Sequence, residues 1–480
     1  MNTAPTVKYL KLILCLLALA ACFPMRADQS IEELRSEAAQ GDAASQYNLG
    51  LMYATGQGVT QNEAEAVKWF RMAAEQGLAQ GQNGLGMSYD YGRGVTKNQA
   101  EAVKWYRKAA DQGYASAQFN LGNMYAAGQG VKKNETEAAK WFRKAADQGH
   151  AKAQDALGKA YADGQGVTKN EVEAVKWYRL AAEQKLASAQ FNLGVMHGYG
   201  RGVVKNPAEA VKWYRLAAEQ GNARAQNNLG TAYDTGQGVE KNQAEAVKWY
   251  QMAAEQGHAN AQCNLGMKYA FGEGVVKDEA EAAKWFRKSA DQGYALAQYN
   301  LGAAYDNGQG VTKNEAEATK WYRKAAEQGF ASAQYNFGVM LANGLGVTKN
   351  QTEAAKWYRK AADQGDAMAQ YNLGMAYMTG QGVKGNPAEA VKWYRKAAEQ
   401  GHASAQINLG LTLAYGLGVA GNGVEGLAWL YVAKGNGKEN VAEKIDSLEK
   451  MMERPAILQA QERAREIAKG IQERKQMEAR

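Results

Sequence analysis

Apolar, small and polar positions recur along this chain with a period of 36 residues. Tryptophan marks the register: Trp69, Trp105, Trp141, Trp177, Trp213, Trp249, Trp285, Trp321, Trp357, Trp393 and Trp429 account for all 11 tryptophans, with no insertion or deletion between them. A frame that starts at Asp42 gives eleven units and ends at Gly437. Each unit predicts two helices. In the first unit Ala43, Leu49, Gly50 and Tyr53 mark one face of a helix over 43–54. It stops at Gly56-x-Gly58-Val59, where glycine enters the left-handed conformation without steric cost. Asn62 starts the second helix with Glu65 three residues on, a capping box in which the side chains satisfy free backbone donors. The pair recurs in every unit, including Asp278 with Glu281, and Pro207 and Pro387 fall at first helical positions. Gly77 and its equivalents end the second helix. Lys185 replaces that glycine once and predicts a strained or different turn there.

The period decides the architecture. One helix pair cannot bury its own apolar face, whereas stacked pairs bury each other's and need a cap at each end. The expectation is an all-α solenoid of eleven 36-residue repeats over residues 42–437. Within residues 22–41, Ser30 with Glu33 begins a short capping helix. Over 438–480, Val441, Ile445, Leu448 and Met452 line one helix, and Ile457, Ala460, Ala464, Ile467 and Ile471 line a second that starts near Pro455. The 11 basic and 9 acidic residues between Lys434 and Arg480 give this end a polar outer face. That composition favours a solubilising cap over a coiled-coil partner helix.

Composition corrects one impression. The 53 glycines would suggest flexible linker, but 43 of them sit at the phases of Gly50, Gly56, Gly58 and Gly77, so they are structural punctuation. With 46% hydrophobic residues, only 5 prolines and no Gly-X-Y period, the chain is neither disordered nor collagen-like.

The pattern Ala43…Leu49-Gly50…Tyr53…Gly56-x-Gly58-Val59…Ala66…Trp69-Phe70…Ala73-Ala74…Gly77 resembles the Sel-1-like repeat, a relative of the tetratricopeptide repeat, across 396 of the 480 residues. The resemblance implies a right-handed α-solenoid and an adaptor for protein or peptide partners. Cysteine-rich members of that family carry a disulfide in each repeat, and some have been associated with β-lactam binding. Cys15, Cys22 and Cys263 form no such pairs, so no internal bridge is expected and that activity is not carried over.

The N-terminus reads as an export signal. Lys8 and Lys11 precede the apolar run from Leu12 to Ala21, which is too short to span a bilayer. Leu19-Ala20-Ala21-Cys22 looks like a bacterial lipobox, in which residues 1–21 are removed and Cys22 is lipidated. Cleavage after Ala20 or Ala27, releasing a soluble exported protein, is the alternative. The expected location is the periplasm or the outer membrane, with membrane attachment solely through the lipid.

Eleven copies of a unit can be compared with one another. Ala43, Gln46, Leu49, Gly50 and Tyr53 repeat and share one side of the first helix; the positions of Ala44, Tyr47, Leu51 and Thr55 vary and fall within an arc of about 80° on the other. By analogy with the tetratricopeptide architecture this variable face lines a concave groove and is the candidate partner-binding surface. Repeat four offers Lys152, Asp155, Lys159 and Asp163 there, repeat five Phe191 and Tyr199, and repeat six Arg224, Asn227, Thr231 and Thr235. Repeats eight to ten present Leu296, Tyr299, Tyr335, Val339, Met368, Tyr371 and Met375, side chains typical of interface anchors. The bland alternative is that they pack against the neighbouring helix. Nine units also carry asparagine at the edge of this arc, from Asn48 to Asn408, which could bond a peptide backbone or tie one repeat to the next.

The net charge of +8 comes from interleaved bases and acids, such as Glu101 with Lys104 and Arg107 with Asp111, and reads as a solvated helix face. A nucleic-acid partner is therefore not expected. His150, His258 and His402 share one phase several units apart, too far to share a metal, and His197 replaces a repeated Tyr. No HExxH, Walker or GxSxG motif occurs, and no cofactor, metal or catalytic residue is assigned. The expected function is a non-enzymatic scaffold of the bacterial envelope that binds protein or peptide partners. A cell-wall glycan-binding or β-lactam-related hydrolase is the alternative.

Overall fold

The structure is a computed structural model and describes residues 30–437 and 441–478. The expected signal segment and Cys22 lie outside the described residues. Among the described residues there are 25 helices and no strand, an all-α solenoid built of tandem helix pairs. The chain divides into two compact units, the first ending at Lys241 and the second beginning at Asn242, between the two helices of repeat six.

In repeat one the A helix covers Ala43–Thr55 and the B helix Glu63–Glu75, and these lengths recur. Gly56 ends the A helix at φ +77°. The Asn62 side chain accepts the Glu65 N–H at 3.0 Å, as the capping box requires. The reciprocal half of the box does not form. The chain doubles back so closely that the Asn62 N–H donates to the Tyr53 carbonyl at 2.8 Å, and the Glu65 carboxylate, no longer needed, pairs with Lys68 at 2.7 Å. Lys185 keeps the turn that glycine makes elsewhere, at φ +62°, so the departure in sequence is absorbed as strain and not as a new turn.

A and B helices approach through glycine. A Cβ at Gly122 would lie 2.6 Å from the Phe142 ring, and one at Gly94 would lie 2.0 Å from the Glu63 carbonyl of the preceding repeat. Neither position admits a side chain. Successive repeats are tied by buried amides: Gln118 donates to the Ala110 carbonyl at 3.1 Å and accepts from Gln148 at 2.8 Å, and Gln334 with Gln364 repeats the arrangement in the second unit. Both ends of each buried glutamine are thus satisfied, which burial demands. Trp141 packs into the core of the preceding repeat while Lys144 lies 4.1 Å over its ring. Arg107 does not pair with Asp111 as its spacing suggested; it donates to the Tyr125 hydroxyl of the next repeat, as Arg71 does to Tyr89 at 2.7 Å.

Each unit has a capped end. In the first, the Ser30 hydroxyl accepts the Glu33 N–H at 3.1 Å, and the helix Ile31–Ala39 buries Leu34 and Ala38 beside Leu49 and Met52. In the second, the helices Ala442–Glu449 and Arg454–Glu478 bury Val441, Ile445, Leu448, Ala460 and Ile471 against Leu427 and Trp429 of the last repeat.

Candidate functional site: the variable face of the A helices

The variable positions divide by how much packing takes from them. Rings at the Tyr47 position lean on the aromatic residue of their own B helix: Phe191 on Tyr214 with centroids 6.1 Å apart, Tyr299 on Tyr322 at 5.9 Å, Tyr335 on Tyr358 at 6.1 Å and Tyr371 on Tyr394 at 6.0 Å. All four are half-buried. Tyr371 is also stacked on His402 at 4.7 Å. Met375 accepts from the Tyr394 hydroxyl at 3.1 Å and from Asn408 at 3.2 Å, so Tyr371, Met375 and Asn408 form one cluster. Asp155 accepts from Ser188 at 2.8 Å and Asn192 at 2.9 Å, and burial holds its carboxyl above the ordinary 3.8. Lys152 and Arg224 are exposed, and Tyr199 stands furthest out at 73% exposure.

The asparagine row is committed to the stack at the positions where its bonds are recorded. Asn120 donates to Asn83 at 2.9 Å, Asn192 to Asp155 at 2.9 Å and Asn408 to Met375 at 3.2 Å, each across a repeat boundary. The amides that could have run along a bound peptide hold one repeat to the next.

Between these tied positions lie cavities of common construction. Each is bounded by the end of an A helix, the start of its own B helix and the next A helix, and is floored by the B-helix aromatic residue. Phe142 floors one of about 270 Å³ and Phe286 one of about 340 Å³; Tyr214 floors one of about 150 Å³, and Phe70 a small one of about 40 Å³. Tyr91, Tyr199 and Phe271, at the Thr55 position of their repeats, stand at the edges of three of them and are more than half exposed. Tyr91 and Phe271 were not singled out from the sequence, although their phase identified them as variable.

The other chemically suggestive residues are structural. The Nδ1 atoms of His150, His258 and His402 cap A helices by accepting the N–H of Ala153, Ala261 and Ala405 at 3.2, 3.3 and 3.1 Å. Cys263 is buried, which pushes its thiol up to about 12 and leaves it protonated at neutral pH. Among the described residues no group of three His, Cys, Asp or Glu could hold a metal ion, and no helix is long and apolar enough to cross a membrane.

Comparison with known proteins accounts for the period. The Sel1 repeat model matches eleven consecutive segments, from 43–78 to 403–437. A solved protein from uropathogenic Escherichia coli, c5321, described as a protective antigen displaying an SLR fold, is 40% identical; the match covers 92% of this chain and 95% of that one, with a TM-score of 0.81. A Sel1 repeat protein from Oxalobacter formigenes is 30% identical over 76% of this chain and 92% of its own, with a TM-score of 0.49. Comparison with curated proteins gives no match. Proteins built of these repeats are generally scaffolds for protein interactions. Eleven matched segments, in register with eleven helix pairs of one construction, make this chain a member of the Sel1 repeat family.

Proposed function

We propose that this protein is a non-enzymatic scaffold of the bacterial envelope that holds protein or peptide partners along the variable face of its A helices. One observation carries the reading: Tyr91, Tyr199 and Phe271 leave their rings in solvent beside cavities floored by a second aromatic ring. Exposed rings beside hollows are the usual anchors of an interface, and rigid helices presenting them lose little conformational entropy on binding. Envelope placement rests on the signal pattern from Lys8 to Cys22 and accords with the description of the Escherichia coli relative as a protective antigen.

A photo-crosslinking residue at Tyr199 or Phe271 should trap a discrete protein in living cells, while the same probe at Lys320 on a B helix gives background. Equal background at all three sites would sink the proposal. Labelled palmitate should enter the wild-type chain and not Cys22→Ser; an unlabelled wild type would mean a soluble exported form.

A further inference from the structure

The repeats differ at these cavities, and two positions 16 residues apart contribute to the difference, together with what the next A helix brings. In repeats three and seven the B helix presents Phe142 and Phe286, and the A helix carries Ala126 and Ala270 one residue before its end. In repeats two and eight the same positions hold Tyr106 with Asp90 and Tyr322 with Asp306; the Tyr322 hydroxyl donates to Asp306 at 3.4 Å, and Asp90, whose carboxylate accepts from Gln99 at 3.4 Å, stands beside the Tyr106 ring. The two positions abut: a Cβ at Gly198 would lie 3.3 Å from the Tyr214 hydroxyl. A carboxylate and a phenol can fill this space, whereas phenylalanine with alanine places no polar group there; in repeats three and seven the space stays open, while in repeat one, where Phe70 and Ala54 are joined by Met87 and Tyr91 of the next A helix, about 40 Å³ remains.

We infer that repeats three and seven are sockets, each taking one leucine- or methionine-sized side chain from an extended segment of a partner protein, and that repeats two and eight are shut by their own tyrosine–aspartate pair. The inference rests on the variable face being the partner-binding face. Size permits it, since an apolar cavity of about 150 Å³ already admits benzene and these measure about 270 and 340 Å³. Charge selects the ligand. At the mouths Lys133 is 2.8 Å from Glu135 and Lys277 is 2.8 Å from Glu279, so these charges answer one another in place, and the exposed Lys159 of the next A helix adds a cation at the rim of the repeat-three cavity alone, so the feature the two sockets share is uncharged. Gln165 and Gln309 stand exposed at the same mouths, each offering a donor and an acceptor. An apolar floor below an amide matches a side chain with its peptide unit. A free hydrocarbon tail would use the floor and leave the amide idle.

Three measurements test this on the full chain. Xenon pressed into crystals should settle beside Phe142 and Phe286 and not beside Tyr322; xenon at neither Phe site, or equally beside Tyr322, overturns the distinction between open and shut repeats. Random displayed peptides panned on the protein should enrich leucine or methionine. Their affinity should fall about tenfold when Ala126→Asp with Phe142→Tyr and Ala270→Asp with Phe286→Tyr close the sockets, using pairs that repeats two and eight already fold with. Unchanged affinity overturns the sockets; if Tyr335→Ala with Tyr371→Ala still weakens those peptides, the face remains the binding surface without them. Peptides indifferent to both sets of changes, or no enriched peptide at all, overturn both readings. Phosphatidylglycerol vesicles that bind the wild type and not the closed variant, with no peptide bound, would make hydrocarbon the occupant and overturn the peptide.

Discussion

In the A helix Ala115–Ala127, Gln118 and Gly122 are buried on one side, while Phe119 is half-buried and Asn123 exposed on the other. The first pair is the same in all eleven repeats and the second is not. The difference lies in what each side touches. Gln118 and Gly122 meet backbone and residues that recur in the stack: the Ala110 carbonyl, the Gln148 amide and the Phe142 ring. The carbonyl cannot move without shifting its helix, and the ring is held in the packed core, so the residue type is dictated. Phe119 and Asn123 meet side chains or solvent, which adapt, so that side is free to carry a binding surface.

The sharpest way to break the comparison is to exchange tolerance between the two sides. Gly122→Val forces side-chain atoms into a ring already 2.6 Å from where its Cβ would sit, and should cost about 3 kcal/mol, the upper end for overpacking. Asn123→Ala, one residue on, should stay within about 0.5 kcal/mol. Hydrogen exchange of repeat three reads both, and is preferable to a single melting temperature because repeat arrays need not unfold in one step. Similar exchange rates in the two variants would erase the distinction.

Gln118→Leu should come next. It removes a donor from the Ala110 carbonyl and an acceptor from Gln148, a loss of about 2 kcal/mol. The double variant with Gln148→Leu should recover little of that loss, since the exposed Gln148 amide keeps water and its bond to the Lys144 carbonyl at 3.3 Å.

The two sides were also unequally legible. The repeat, its helix ends and the stacking side could be read because each imposes a residue type on every repeat: Gly122 and its equivalents for close approach, Asn62 or once Asp278 for the cap, Trp141 for the inter-repeat core. Roles that several residue types can fill stayed hidden. His150 caps a helix where Asp42 does so elsewhere, and nothing in the single letter distinguishes that from a potential ligand. Arg107 could have paired with Asp111 along its helix or Tyr125 across the boundary, and distance in the fold decided it. The open and shut cavities were readable in principle, since Phe142 travels with Ala126 and Tyr322 with Asp306, but the pairing gains meaning once the two positions are known to abut.

His197, like Leu341 and Leu413 at the same position, departs from the rule of the stacking side, and as the one polar departure it tests whether that rule has energetic content. It stands where Tyr161 and Tyr233 accept from Arg143 and Arg215 at 2.5 Å, it is 6% exposed, and neither ring nitrogen has a hydrogen-bond partner. Burial, with the Arg179 charge beside it, lowers its pKa below 6.5, while Glu209 opposes the shift. A lowered folded value means the neutral ring is favoured by folding, so stability is complete above about 6.5, the unfolded value, and falls as pH drops below it. His197→Tyr should restore the bond to Arg179, gain about 1.5 kcal/mol at neutral pH and remove this part of the acid loss. Urea midpoints at pH 7 and pH 5 would show a larger gain at pH 5; an equal gain would mean the imidazole does not titrate in that range.

The smallest expected effect on stability belongs to the variable face, and there smallness is the point. Tyr199→Ala and Phe271→Ala remove rings 73% and 72% exposed, so little apolar surface returns to water and each should change stability by less than about 0.5 kcal/mol. Neither ring is part of the glutamine ties, and each stands at the edge of a cavity it does not floor. Partner capture should nevertheless fall sharply, because a buried aromatic anchor typically carries 2 kcal/mol or more, by order of magnitude, of a protein interface. A loss of capture with unchanged hydrogen exchange would separate binding from stacking within one helix. If the same substitutions loosened repeats five and seven, the exposed rings would belong to the fold, and the two sides of the A helix would differ in degree and not in kind.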